Sequence, residues 1–362
     1  MSSLLITGGA GFIGSHFTEY WLREHPADRV VVLDALTYAG NSRNLDAYEG
    51  NRQFRFVLGD IGDQSLVKEL LREEHIDTLV HFAAESHVDR SIADPDIFIE
   101  TNIVGTHALL AAARRMWRQD GRVAAHRFHH VSTDEVYGSL GADDPPFDER
   151  SPYAPNSPYA ASKAASDHLV RAYAHTYGLS VTTSNCSNNY GPRQFPEKLI
   201  PRTIAHVLQG RRIPLFGDGR QQRDWLHVLD HCRGVGLVLE KGVPGEVYHL
   251  GGGETAANLD LVRRLCACID AAFAADTSLA ARFAQSPAAR GSRSDSLIEF
   301  VADRPGHDRR YSVGGAKARR ELGFEPDRTG KGLGGHRGLV PRPRILVARA
   351  TGTIAAPWPM TP

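Results

Sequence analysis

Thr133, Asp134 and Glu135 in HVSTDEVYG, with Tyr159 and Lys163 in SPYAASK, are the residues of this chain whose types and spacing best suit chemistry. A Tyr-x-x-x-Lys pair opening a helix sets the ammonium one turn from the phenol. It is expected to lower the phenol pKa, so that the oxygen takes a hydroxyl proton near neutral pH. That arrangement serves hydride transfer from an alcohol to a nicotinamide. Simple alcohol oxidation needs no further acid or base, whereas an adjacent Asp and Glu facing the same substrate could remove a C–H proton and protonate a departing hydroxyl. The chemistry expected is oxidation followed by loss of water.

Elements able to hold such a site are legible upstream and downstream of it. Short apolar runs at Leu4 to Thr7, Val30 to Leu33, Phe54 to Leu58, Thr78 to Phe82, Phe128 to Ser132 and Leu179 to Thr183 alternate with helical stretches. Continuous apolar strands separated by helices predict an α/β fold, a Rossmann-type doubly wound parallel sheet covered on both faces. After position 187 the pattern turns loop-rich (NNYGPRQFPEKLIP), and an irregular region comes after Gly251. The expected division is a dinucleotide-binding domain over 1–187, to which 217–247 returns, and a smaller, interleaved α/β substrate-binding region over 188–216 and 248–327. The small, polar stretch 274–296 reads as a surface excursion without chemistry.

TGGAGFIGSHF comes directly after the first strand and opens a helix, which spaces Gly8, Gly11 and Gly14 as G-x-x-G-x-x-G. Glycines let the backbone turn sharply and approach a pyrophosphate, whose charge is favoured at a helix amino terminus. Alone such a loop is weak evidence, but Asp34 closes the second strand, where a carboxylate accepts from both ribose hydroxyls and repels a 2′-phosphate. NAD is therefore expected, not NADP. Asp60 closes the third strand in VLGDI, placed either to accept from an adenine amino group or to cap the next helix.

Composition excludes other classes. The 362 residues carry 42 Lys+Arg against 42 Asp+Glu, and the zero net charge gives no reason to expect nucleic acid or membrane as the main partner. No apolar run approaches the ~20 residues of a membrane helix. The start, MSSLLITGG, lacks the basic and apolar regions of a secretion signal, so cytoplasm is the default expectation. Cys186, Cys232, Cys266 and Cys268 show no metal or redox spacing and read as buried free thiols. Most of the 17 histidines stand singly, and the His129–His130 pair precedes a buried strand, so no metal is expected.

With TGGAGFIGSHF, DALTYAGN, GDI, HFAAESHVDRS, STDEVYG, YAASK, SNNYGPRQFPEKLIP, GDGRQQRDWLHV and DRPGHDRRY in order, the chain resembles the dTDP-glucose 4,6-dehydratases of the extended short-chain dehydrogenase/reductase family over about residues 4–327. The resemblance implies that Tyr159 is the base for the C4 hydroxyl, that Lys163 tunes it and holds the nicotinamide ribose, and that Thr133 bonds the same sugar oxygen. Hydride then moves from C4 to NAD, Glu135 removes the C5 proton as Asp134 protonates the departing C6 hydroxyl, and hydride returns to C6. NAD stays bound throughout. The same carry-over places Phe12, Ile13, Asp34, Asp60, Ile61, Ala83, Ala84, Thr101 and Asn189 against NAD. It places Ser86, Asn188, Lys198, Leu199, Pro214, Phe216, Arg223, Asn258, Asp303 and His307 against the nucleotide sugar, with Arg223 shaped to clamp a diphosphate. A homodimer through helices flanking the sheet is also implied.

Two departures stand out. His249 in VYHLGGG occupies a place where the resembled family has Asn, near the nucleotide by expectation. After Asp327 the family pattern stops, and the chain beyond Leu333 is rich in Gly, Arg, Pro and Ala with no acidic residue. A one-base frame shift turns the codons spanning Leu339/Val340, Leu346/Val347 and Val347/Ala348 into forms that include Trp, and that spanning Val340/Pro341 into one that includes Tyr. These match the family's aromatic spacing, so residues 328–362 read as an atypical, disordered tail, translated out of frame after about Leu333. Rival readings are a related epimerase or a dehydratase of UDP- or GDP-sugars, and an NAD-binding redox sensor without catalysis. The Thr-Asp-Glu trio argues against an epimerase, and a sensor has no need of an elimination pair.

Overall fold

A computed structural model describes residues 1–119, 121 and 126–327. The expectation of an out-of-frame, disordered tail falls on 328–362, outside the described residues.

The six apolar runs form β1 (Ser3–Thr7), β2 (Arg29–Asp34), β3 (Phe54–Leu58), β4 (Thr78–His81), β5 (Arg127–Thr133) and β6 (Val181–Cys186). They are joined by α1 (Phe12–Glu24), α2 (Gln64–Glu73), the short α3 (Val88–Ala93) and α4 (Asp96–Phe98), a π-helical turn Ile99–Gly105, α5 (Thr106–Gln119) and α6 (Pro158–Tyr177). Alternate residues of these strands serve two cores. Leu4, Ile6, Val30 and Val32 pack toward α1, while Leu5, Val31 and Leu33 pack toward α2 and α5. Burial on both faces is why the strands are apolar throughout and not alternating.

The second half contributes β7 (Asn188–Tyr190), α7 (Leu199–Leu208), β8 (Ile213–Phe216), β9 (Gln222–His227), α8 (Val228–Lys241), β10 (Val247–Leu250), β11 (Thr255–Ala257), α9 (Asn258–Ala275), α10 (Ser278–Arg282), β12 (Ile298–Val301) and α11 (Ala316–Leu322). Strand order in the main sheet is β3-β2-β1-β4-β5-β6-β10, and every pairing is parallel. The order reverses between β1 and β4, so the crevice for a ligand opens at their carboxyl ends. Two small sheets, β11-β9-β7 and β12-β8, build the other wall around a second core under α7 and α9.

Three details differ from the sequence expectations. The sixth strand begins at Val181, because α6 ends at Gly178 with φ 68° and Leu179 N bonds back to Tyr173 O, which consumes the first residues of the run in a helix cap. Within 217–247, β9 pairs in a small sheet; α8 packs on the main sheet and leads to its last strand, β10, at 247–250. The stretch 274–296 is not a bare excursion, since Leu279 and Phe283 fold back on the core under α9.

Candidate active site

Strand β5 delivers Thr133 to the crevice, where it caps a short 3-10 turn, Asp134–Tyr137. Its hydroxyl accepts from Glu135 N at 3.3 Å and donates to Asp134 Oδ1 at 3.3 Å. Helix α6 starts opposite, with Ser157 Oγ accepting from Ala160 N at 3.1 Å and Pro158 in its first turn. This start is dictated locally, because proline suits a position whose N–H has no helical partner and serine satisfies a neighbour's. Tyr159 and Lys163 therefore face the same crevice one turn apart.

Burial governs the electrostatics. Asp134 is 1% exposed, and burial, with Glu135 and Asp224 adding like charge, pushes its carboxyl well above the usual aspartate range. Its Oδ2 has no hydrogen-bond partner among the described residues. A carboxyl pushed in this direction holds its proton more firmly and suits a general acid. Burial also raises Glu135, but Arg223, Arg304 and Lys198 pull it back, so this neighbour is more easily ionised. Glu135 Oε2 lies 3.5 Å from the Tyr311 phenol.

The expected lowering of Tyr159 is not what the structure has. Burial, then the Glu135 carboxylate, raise the phenol well above the ordinary tyrosine value, and the facing Thr133 hydroxyl only partly opposes them. Lys163 Nζ instead donates to Val131 O at 2.8 Å. Burial lowers the ammonium pKa and Asp167 supports its charge. Asp167 is itself held below the usual range against burial by His130, Lys163 and Ser132. The pair is preserved as geometry, but a lysine turned onto a strand carbonyl does not acidify the phenol by itself.

A cleft of about 320 Å³ runs from the glycine loop to this pair. Gly8 has φ +70°, and a Cβ there would lie 2.6 Å from Ala83 N; one on Gly14 would lie 2.2 Å from Gly8 O. A Cβ on Gly11 would meet only Gly8 O, so its remaining space belongs to the cleft. Helix α1 has no side-chain cap, which leaves first-turn N–H groups for a ligand. At the far end Asp34 accepts from Ala10 N and Leu36 N at 2.9 and 2.8 Å, fixing both adjoining loops. A dinucleotide fits this cradle. Phe12, Ile13, Asp60, Ile61, Ala83, Ala84, Thr101 and Asn189 all line the same cleft. Asp60 accepts from Gly62 N in a local turn, and the cap of α2 is Asp63, which accepts from Ser65 N and Leu66 N. Of the two alternatives for Asp60, helix capping is thus taken by another residue.

A second cleft of about 180 Å³ adjoins the first at Glu135, Asn188 and Lys198. Ser86, Leu199, Pro214, Phe216, Arg223, Asn258 and His307 line it. Buried Asn188 Oδ1, Gln194 Oε1, Asn258 Oδ1, Trp225 Nε1 and Arg304 Nε have no hydrogen-bond partner among the described residues, which marks a cavity built for a polar ligand. Two expectations change here. Asp303 is exposed and lines neither cleft; it accepts from Gln221 Nε2 at 3.1 Å and contacts His307 Nδ1 at 2.6 Å, so it orients His307 from behind. Arg223 is 5% exposed, and its two Nη atoms donate to Gln222 O and Asp308 O while its plane stacks 4.0 Å over Tyr311. Only the rest of its fork is available to a diphosphate. His249 lines neither cleft.

A model of the family described as GDP-mannose 4,6 dehydratase matches residues 5–333. A dTDP-glucose 4,6-dehydratase of Xanthomonas campestris pv. campestris (strain B100) is 54% identical over 328 residues, covering 90% of this chain and 89% of its own. The chain belongs to the dTDP-glucose 4,6-dehydratase family. A relative of that name from Escherichia coli is 46% identical over 336 residues, covering 90% of each chain. The dTDP-glucose 4,6-dehydratase of Streptomyces venezuelae, solved with NAD bound, superposes with a TM-score of 0.78 at 48% identity over 90% of this chain and 92% of that one. A UDP-glucose 4-epimerase of Thermotoga maritima shares the fold, with a TM-score of 0.78, at 26% identity over 97% and 99% of the chains.

Sequence reasoning missed further residues that line the two clefts. Tyr38, Glu85, Gln194, Phe195 and Glu197 line the first cleft, and Arg202, Trp225 and Arg304 the second. Tyr38 in DALTYAGN and Glu197 in FPEKLIP meet at 3.1 Å, and only their place inside those motifs could have flagged them. Asn102, on the π-helical turn, bonds Glu85 and Ser162 and ties the cleft wall to α6. Among the described residues no helix is long and apolar enough to cross a membrane, and no cluster could hold a metal ion.

Proposed function

We propose that this chain converts dTDP-glucose to dTDP-4-keto-6-deoxyglucose by C4 oxidation, loss of water across C5 and C6, and reduction at C6. NAD held in the glycine-loop cleft supplies the chemistry of accepting hydride and giving it back. Gly8, Gly11 and Gly14 leave room for its pyrophosphate, and Asp34 receives a ribose and leaves no place for a 2′-phosphate. The dinucleotide half is 1–187 with α8 and β10, and the small sheets hold the nucleotide sugar, where Lys198, Arg223 and Arg304 meet its diphosphate.

The observation that carries this reading is the Thr133–Asp134–Glu135 turn facing Tyr159 where the two clefts meet. Tyr159 takes the C4 hydroxyl proton, its phenol made acidic by the positive charge that bound NAD would bring beside it, with Thr133 bonded to the same oxygen. The C4 ketone acidifies the C5 proton, which Glu135 removes, and Asp134 gives its proton to the leaving C6 hydroxyl. Two unlike carboxyls side by side, one that burial pushes well above its ordinary range and one that three cations pull back, are what an elimination asks for and an epimerisation does not.

The cytoplasm suits the four free cysteines, three of them buried. A second copy of the chain suits the apolar side chains left exposed along α3 to α5, Ile92, Ile97, Ile99 and Val104. The test is incubation with dTDP-glucose and measurement of the alkali-induced ultraviolet absorbance of a 4-keto-6-deoxy sugar. Its appearance supports the assignment; an unchanged sugar, or a C4 epimer, overturns it.

A further inference from the structure

Hydride leaves C4 and returns to C6 within one catalytic cycle, so a cofactor lost between the two steps would strand an oxidised sugar. A dehydrogenase that trades cofactor at each turnover needs an open cleft. This chemistry needs one that stays shut. We propose that Tyr38 and Glu197 clasp the dinucleotide cleft and retain the cofactor through the cycle; this rests on the proposed dehydration of dTDP-glucose.

Tyr38 lies in the loop after β2 and Glu197 in the segment before α7, and both line the cleft of about 320 Å³. The phenol donates to Glu197 Oε1 at 3.1 Å, joining the two halves of the fold across 159 positions. Phe195 meets the same ring edge to face at 5.2 Å, and the Arg90 guanidinium lies 3.8 Å over its centre. Burial, then Glu197, hold the phenol above the ordinary tyrosine value, so it stays a donor throughout the neutral range. Both segments are rooted near the glycine loop and the helix it opens. Asn41 N and Asn44 Nδ2 donate to Ala10 O at 3.2 and 2.9 Å, which fixes the base of the Tyr38 loop. On the other side Arg193 pairs with Glu19 of α1 at 2.9 Å, His16 Nε2 lies 2.9 Å from Pro192 O, and Lys198 Nζ donates to Ser86 O at 2.7 Å. With the roots held by several bonds, the contact at the tips is the one that parts when the cleft opens. Gln194, Glu197 and Lys198 line the second cleft as well, so the same segment faces both ligands.

The test is exchange of bound cofactor. Protein loaded with isotopically labelled NAD is placed in excess unlabelled NAD, and loss of label is followed with time. Tyr38→Phe keeps the ring against Phe195 and Arg90 and removes only the bond, so label should leave ~10-fold faster, on the scale of one hydrogen bond. Glu197→Ala should do the same, whereas Glu197→Gln, whose amide oxygen still accepts, should keep exchange slow. The two losses should not add, since each breaks the same bond. Because that bond joins two protein groups, its removal speeds entry as well as exit, and equilibrium dialysis against NAD should give a nearly unchanged dissociation constant. With dTDP-glucose and no free NAD, Tyr38→Phe should lose its rate over successive turnovers and regain it when NAD is added, while the unmodified protein keeps its rate. Unchanged exchange in Tyr38→Phe, additive effects, or an affinity loss equal to the gain in exchange rate would overturn the clasp. If Tyr38→Phe does not fold, the two Glu197 variants read the same bond. Label exchange needs no sugar, so absence of keto-sugar from the unmodified protein removes the reaction alone and leaves exchange to decide the clasp.

Discussion

The Tyr137 phenol, from the last residue of the turn that carries Asp134 and Glu135, lies 2.7 Å from His249 Nε2. The rings meet edge to face at 5.1 Å, and His249 N donates to Glu149 Oε1 at 3.1 Å. His249, placed by expectation near the nucleotide, is therefore a floor under the catalytic turn. His249→Ala is expected to cost about 2 kcal/mol through a lost buried hydrogen bond and the space left behind. Urea unfolding checks the loss. The product should be unchanged, since the side chain lines neither cleft.

The two carboxyls set the pH dependence of elimination. Glu135 works ionised, and its raised pKa means that the rate falls as pH drops, beginning above the ordinary glutamate value. Asp134 works protonated, and its strongly raised pKa keeps the proton well past the ordinary aspartate value before the rate falls at high pH. A bell is expected for the single-turnover elimination rate, with Glu135 on the acid side and Asp134 on the basic side. Asp134→Asn should lower the rate ~10²-fold or more and erase the basic limb. A basic limb that survives the substitution would assign the acid elsewhere.

Asp34 has two tasks that one substitution separates. Asp34→Asn keeps one oxygen to accept from Ala10 N or Leu36 N, loses the other bond because an amide nitrogen cannot accept, and loses the negative charge at the ribose site. It is expected to relax discrimination against NADP, whereas Asp34→Ala should also loosen the two loops and weaken NAD binding. Mass measurement of the cofactor released on denaturation reads the first effect, and NAD titration reads the second. NADP as the dominant cofactor of the unmodified protein would contradict the assignment.

Much of this site is legible in the sequence because strands and motifs carry it. Buried parallel strands announce themselves by unbroken apolar runs; Thr133 ends one of them, and Tyr159 and Lys163 sit in the first turns of a helix, where spacing alone fixes their facing. Loops carry less. Tyr38 reaches Glu197 across 159 positions, and Asp303 reaches His307 from outside the cleft, relationships that depend on how loops fold over one another. The end of α6 is hidden because a glycine cap reads the same as a turn before a strand. The direction of the Tyr159 pKa is hidden because spacing says nothing of burial, and burial dominates the phenol. The cap of α2 falls to Asp63 because both aspartates in GDIGD suit a cap and only the backbone chooses between them.

The central claim is that oxidation and elimination are separate steps and that Glu135 serves only the second. Single-turnover absorbance of the reduced nicotinamide in Glu135→Gln, with dTDP-glucose added to the NAD-loaded protein, tests it most directly. The signal should rise as C4 is oxidised and then persist, with keto-deoxysugar formation slowed ~10²-fold or more. Product formed at the unmodified rate, or no rise in the signal at all, would contradict the account.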